Sequence, residues 1–192
     1  MAHYVIYVPG LNDHRAHAQR RAIKLWRIFG VRSVFQPMHW NSGPFASKFK
    51  QLLERIDRYA QDGHTVSLVA ASAGASVVLA AYQQRRQVIA GVVCICGKIN
   101  RLDAVNPAYY RTNPAFQESL AALSKALPQL SAQDRTHVLS LHPLYDEIVA
   151  VRDTILAGAP KGTLPVVGHG IGIGYALTLG AWRMMRFLKR QG

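Results

Sequence analysis

Ser67-Leu68-Val69-Ala70-Ala71-Ser72-Ala73-Gly74-Ala75-Ser76 is the stretch that decides the fold. An apolar run with strand character enters a serine, and a run of small residues leaves it as a helix over Gly74–Arg86. The second neighbours of Ser72 on either side are tiny. A strand-to-helix turn tight enough to project a serine Oγ brings the flanking backbone into close contact, so bulk at those positions would clash. The general pattern is G-x-S-x-G; here it reads A-x-S-x-G, with Ala70 in the first glycine position. Ser76 has similar neighbours but falls a turn into the helix, which makes it the weaker candidate nucleophile. The competing reading makes Ser72 an ordinary helix-start serine on a helix that packs closely against a sheet.

Outward from this turn, short apolar runs alternate with longer amphipathic ones. Strands are predicted at His3–Val8, Val31–Gln36, Thr65–Ala71, Val88–Cys96, Thr136–Leu141 and Thr163–Val167. Helices are predicted at Asp13–Phe29, capped by Asp13, at Phe45–Ala60, at Gly74–Arg86 and at Gly172–Lys189. Strands that read as buried on both faces, alternating with helices, imply βαβ units and a mainly parallel six-stranded sheet in a three-layer α/β/α sandwich. The pattern breaks over 97–133, which holds three prolines and one helical patch near Gln117–Leu127; this segment is read as a lid-like insert in a single domain spanning 1–192.

The chain has 192 residues, about half of them apolar, with a mean hydropathy near zero, a globular profile. Cys94 and Cys96 have the spacing of two thiols on one face of a strand, too close in sequence for an unstrained disulfide. No signal peptide is read before the first strand, and a reducing cytoplasm is the expected compartment. Val66–Tyr82 and Leu164–Leu179 are apolar enough to suggest membrane spans, but serines, glycines and His169 interrupt them. Each reads instead as a buried strand running into a helix. The formal net charge of +13 favours acidic substrates, anionic surfaces or polymers as partners and says nothing about fold. No nucleic-acid motif accompanies it, so no specific nucleic acid is expected.

A nucleophilic serine needs a base, and the base needs an orienting acid. Gly168-His169-Gly170 follows the last strand, and the glycines leave room for the imidazole of His169 to face the serine. The wider run Gly168-x-Gly170-x-Gly172-x-Gly174 has neither phosphate-loop spacing. After the fifth strand, Asp146 is the best acid, ahead of its neighbour Glu147 and of Asp153; its rival role is a helix cap. The oxyanion donors expected are the amide of Ala73, the residue after the serine, and that of Leu11, in the Pro9-Gly10 turn after the first strand, with Asn12 as the alternative. His39 and Trp40, in the loop after the second strand, are candidate substrate contacts, with core packing the rival for Trp40. Tyr109, Tyr110 and Phe116 of the insert are candidate cover for an acyl or aromatic group. No metal ligand set is read.

Taken together, Val8-Pro9-Gly10-Leu11, Ala70-Ala71-Ser72-Ala73-Gly74, Asp146-Glu147-Ile148-Val149 and Gly168-His169-Gly170 resemble the short serine hydrolases of the α/β-hydrolase superfamily. These include the retinoblastoma-binding-protein-9-like group and minimal lipases and esterases. The resemblance runs in order over nearly the whole chain. It implies a sheet order of 2-1-3-4-5-6, no cofactor, and hydrolysis of a carboxylic ester, thioester or amide through Ser72, His169 and Asp146. Ala70 departs from the pattern, and no HGGG-type oxyanion motif is present. The fold also hosts non-catalytic proteins. The resemblance further implies that the first and last helices share one side of the sheet. Arg20, Lys24 and Arg27 would then join Arg183, Arg186 and Arg190 in one basic surface for an anionic partner, the use expected of a non-catalytic member; the competing reading is two ordinary solvated helix faces.

Overall fold

A computed structural model describes residues 1–192. Its six strands are β1 (His3–Val8), β2 (Val31–Phe35), β3 (Thr65–Ala71), β4 (Ile89–Ile95), β5 (Val138–Tyr145) and β6 (Lys161–Val167). All are parallel, in the order β2-β1-β3-β4-β5-β6. The helices are α1 (His17–Lys24), α2 (Phe45–Gln61), α3 (Gly74–Arg85), α4 (Ala108–Thr112), α5 (Pro114–Ala126), α6 (Ala132–Thr136), α7 (His169–Leu177) and α8 (Ala181–Lys189).

The sheet splits the core into two slabs. Leu52 and Ile56 of α2, Val77 and Val78 of α3, and Leu120 and Leu123 of α5 pack on one face, against Ile6, Leu68 and Val92. Ile23 of α1, Ile173 and Ala176 of α7, and Met184 and Leu188 of α8 pack on the other, against Val5, Val69 and Val93. The central strands β1, β3 and β4 are covered on both sides, which is why they read as continuous apolar runs. No helix is long and apolar enough to cross a membrane.

Several expectations change. The first helix does not start at a capping Asp13. That carboxylate is buried and accepts the amides of Met38 and His39, both at 2.6 Å, so it ties down the loop after β2 instead. The helix is also cut short, giving way to a 3-10 turn at Leu25–Phe29 that Gly30 closes at φ 72°. β5 runs four residues past its predicted end. Pro143 argues against a strand interior because it lacks an N–H, but the register with β6 shifts between Pro143 and Tyr145 and absorbs the missing donor. The long last helix is two helices, broken where Gly180 seats against the Tyr175 ring.

Cys94 and Cys96 do not share a face. Cys96 lies one residue past β4 with φ 52°, and this left-handed turn breaks the alternation, sending Cys94 into one slab and Cys96 into the other. The insert over 97–133 is not a lid throughout. Its longest element is α5, an ordinary crossover helix with Phe116, Leu120 and Leu123 buried against α3. The residues before α5, with Phe116 of its first turn, border the cleft at the carboxyl edge of the sheet.

Candidate functional site

The site lies at the carboxyl ends of the central strands. Ser72 follows β3 directly, with φ 50°. A non-glycine residue in this region costs on the order of 1–3 kcal/mol, so its surroundings must impose the conformation. Its amide donates to Ile95 O at 2.8 Å, which fastens the turn to β4. Glycines let the neighbouring backbone close in. A Cβ on Gly74 would lie 2.5 Å from Val8 O, and one on Gly10 would lie 2.9 Å from Ser72 Cβ. Ala70 is fully buried in the slab with α2, α3 and α5, where a methyl group has a place; this is why the first elbow position accepts alanine. Ser76 is structural: its hydroxyl donates to Ala73 O at 2.7 Å and is shared with Ser119.

His169 is the first residue of α7, after Gly168 at φ 100°, a backbone conformation that calls for glycine. Its Nδ1 lies 2.8 Å from Asp146 Oδ2 and 3.0 Å from Oδ1. Asp146 Oδ1 also accepts the amides of Ile148 at 2.9 Å and Val149 at 2.8 Å, so the acid is locked in a local turn directly after β5. Burial pushes the Asp146 carboxyl up, but the hydrogen bond from His169 and those backbone amides outweigh it and hold the group below the usual carboxylate range. Glu147 has a different place: it accepts the His169 amide at 2.9 Å, a carboxylate at the N-terminus of α7. Asp153, the third acid weighed, is buried in an ion-pair cluster with Lys98 at 2.7 Å and Arg101 at 2.6 Å. Arg101's hydrogen bond works against the cost of burial, with Lys98 adding to it, so this carboxyl too lies below its ordinary value. His142 is buried, with Nδ1 2.9 Å from Pro143 O.

Ser72 and His169 line one groove together with Gly10, Leu11, Tyr109 and Ile148. The Ser72 hydroxyl makes no hydrogen bond to the protein. The amides of Leu11 and Ala73 likewise donate to no protein acceptor, and both residues border the serine. Two arms leave it. One, of about 340 Å³, is mainly apolar, with walls from Leu11, Val105, Tyr109, Phe116, Ile148 and Val149 and the Lys98–Arg101–Asp153 cluster at its side. The other holds His169 and continues past Asn12, Thr112 and Asn113.

His39 lines neither arm, and Trp40 borders only a recess next to the arm that holds His169. Trp40 is 1% exposed and packs edge-on against Phe116, with ring centroids 5.9 Å apart, because the Asp13 tether pulls its loop into the core. Of the insert aromatics, Tyr109 and Phe116 reach the cleft, while Tyr110 lies against Phe116 from behind. Lys98 and Arg101 line the cleft without a role expected from the sequence, whereas Asp153, weighed there as an acid, pairs with them. The available signal is positional: Lys98 and Arg101 follow β4, at the carboxyl edge where α/β sites form.

Cys96, Asp146 and His169 offer ligand atoms within 4.8 Å of one another, a set with metal-binding chemistry. His169 and Asp146 already share a proton-mediated contact, and burial together with the Asp146 charge pushes the Cys96 thiol up. A cation there would have to displace both protons.

No protein-family model matches the chain, and no curated protein matches it. Solved structures do. A structure from a study of LipS and LipT, metagenome-derived lipolytic enzymes, aligns over 98% of this chain and 94% of its own, with TM-score 0.71 and 12% identity. Est1E from Butyrivibrio proteoclasticus aligns over 99% and 88%, with TM-score 0.70 and 15% identity. The monoacylglycerol lipase of Paleococcus ferrophilus aligns over 98% and 95%, with TM-score 0.64 and 13% identity.

Proposed function

We propose that this chain, which has the α/β-hydrolase fold, is a serine hydrolase that cleaves a carboxylic ester through an acyl-enzyme. The observation that carries the reading is the Asp146–His169 pair, joined at 2.8 Å and opening onto the same groove as a serine held at a strained φ. The names of similar structures, lipolytic enzymes and a monoacylglycerol lipase among them, agree with it.

Ser72 Oγ attacks the carbonyl carbon while His169 Nε2 takes its proton. Asp146, ionised and acceptor-only, holds the Nδ1–H tautomer and stabilises the imidazolium. The carbonyl oxygen becomes an oxyanion, for which the amides of Leu11 and Ala73 are the available donors. Collapse breaks the bond to the leaving oxygen, and His169 returns the proton there. Water, deprotonated by the same imidazole, then attacks the acyl-serine and frees Ser72. The apolar arm suits the acyl group. A thioester or amide would follow the same route with a different leaving atom.

The test is a fluorophosphonate probe, with the adduct mapped by mass spectrometry and Ser72→Ala as control. Labelling at Ser72, lost in the variant, supports the hydrolase. Folded protein that stays unlabelled between pH 6 and 9 rejects it. That outcome would favour the second reading, a binding protein using its basic surface for an anionic partner. In favour of that reading, α1 and α8 lie on the same side of the sheet, and Lys189 of α8 reaches within 3.8 Å of the position of a Cβ on Gly30, just past the first helix.

A further inference from the structure

The arm that holds His169 is the arm in which the leaving group must lie, because His169 delivers its proton to the leaving oxygen. That arm differs in chemistry from the apolar one. Asn12, Thr112 and Asn113 also border a recess of about 320 Å³, whose further walls are Asp13, His14, Trp40 and Asn41. Trp40 is the sole hydrophobic side chain among the residues that line it.

The recess holds polar groups without partners. The Trp40 indole N–H is buried and has no acceptor in the protein. A donor shut away from water in this way is costly unless something accepts from it. Asp13 commits Oδ2 to two amides and leaves Oδ1 free. Asn113 spends its amide nitrogen on Tyr109 O and Thr112 Oγ1, leaving its oxygen free. The side chains of Asn12 and Asn41 make no hydrogen bonds. Asn12 is held at φ 60°, so its backbone turns at the junction of groove and recess.

Donors and acceptors intermixed in one recess suit hydroxyl groups, each of which donates and accepts. Charge does not compete with this. Asp13 is the one carboxylate, and the Lys48 ammonium stands close enough to offset it, anchored on the carbonyls of His39, Ser42 and Gly43. A cation is therefore not strongly selected, and an anion would face the carboxylate.

Building on the hydrolase reading, we infer that the recess is the leaving-group subsite and takes a polyhydroxylated alcohol, a sugar or similar polyol, so that the substrates are acyl esters of such alcohols. Trp40 acts there as a specificity residue, through its N–H.

The experiment compares two butanoate esters, methyl 6-O-butanoyl glucoside and butyl butanoate, which share an acyl group and differ in the alcohol. The expected ratio of kcat/KM is about tenfold or more in favour of the glucoside, since a site built to hydrogen-bond discriminates against an analogue that cannot. Trp40→Phe keeps the ring and removes the donor; Asn41→Ala changes an exposed position and leaves the fold alone. Each should lower the ratio about fivefold, the value of one neutral hydrogen bond. A wild-type ratio at or below one, or variants that leave the ratio unchanged, overturns the assignment. Fluorophosphonate labelling of the same preparation separates the failures. Labelled protein without the preference loses the polyol subsite alone, whereas unlabelled protein loses the hydrolase reading and the subsite with it.

Discussion

Asp146 carries two duties at once, closing a turn over Ile148 and Val149 and holding His169. An asparagine keeps the acceptor for the turn but offers an N–H where the imidazole needs an acceptor, which favours the wrong tautomer. For Asp146→Asn we expect kcat/KM to fall about 10⁴-fold at pH 7 with the fold intact, as read by ester hydrolysis and circular dichroism. The same residue has a stability signature. Because its folded pKa lies below the ordinary carboxylate value, its contribution is present above about pH 4 and fades as pH falls through the folded value. The stability gap between wild type and Asp146→Asn in urea should therefore be full at pH 7 and narrow below pH 4. A gap that widens in acid would contradict this account. Asp13 illustrates the limit of reading caps from sequence. It has the residue type of an N-cap, but a tertiary demand, two amides of the loop after β2, claims its carboxylate.

At the scale of elements, the turn between β3 and α3 depends on backbone proximity more than on side-chain contacts. Gly74 faces carbonyl oxygens of β1 and of Pro9, which cannot retreat without breaking the sheet. We expect Gly74→Ala to destabilise the protein by about 3 kcal/mol and to remove Ser72 labelling, whereas Ala70→Gly should cost about 1 kcal/mol and leave labelling in place. Differential scanning calorimetry and the labelling assay read both; equal costs at the two positions would refute the steric account. This asymmetry was legible in the residues, since A-x-S-x-G already shows which small position tolerates a methyl group. The extent of β5 was not. Pro143 argues against a strand, and only pairing with β6, through a shifted register, restores one. Within 97–133 the helical patch was legible, but its start at Pro114 and its packing into the core were not, because the prolines mark loops and the buried face of α5 becomes visible only against α3.

The whole molecule buries both thiols, one in each slab, so neither should react without global opening. Burial pushes the Cys94 thiol up to about 12, and Cys96 is raised further by the Asp146 charge beside it. Labelling by a maleimide at pH 8 should be about 1,000-fold slower in native protein than in guanidinium, and both cysteines should label together. Fast labelling of Cys96 alone would show that the back of the site opens locally. The sequence by itself determined the alternation of buried strands and helices, the turn at Ser72, and the order in which serine, acid and histidine follow strand ends. These depend on periodicity and on local sterics, which neighbouring residues carry. The tertiary structure alone decided which face Cys96 takes, that Trp40 is buried while its N–H stays unpartnered, and that residues 98–116 wall one arm of a cleft whose other arm is polar. Those facts depend on which loops the sheet order brings together at its carboxyl edge, and residues distant in sequence meet there only once the chain has folded.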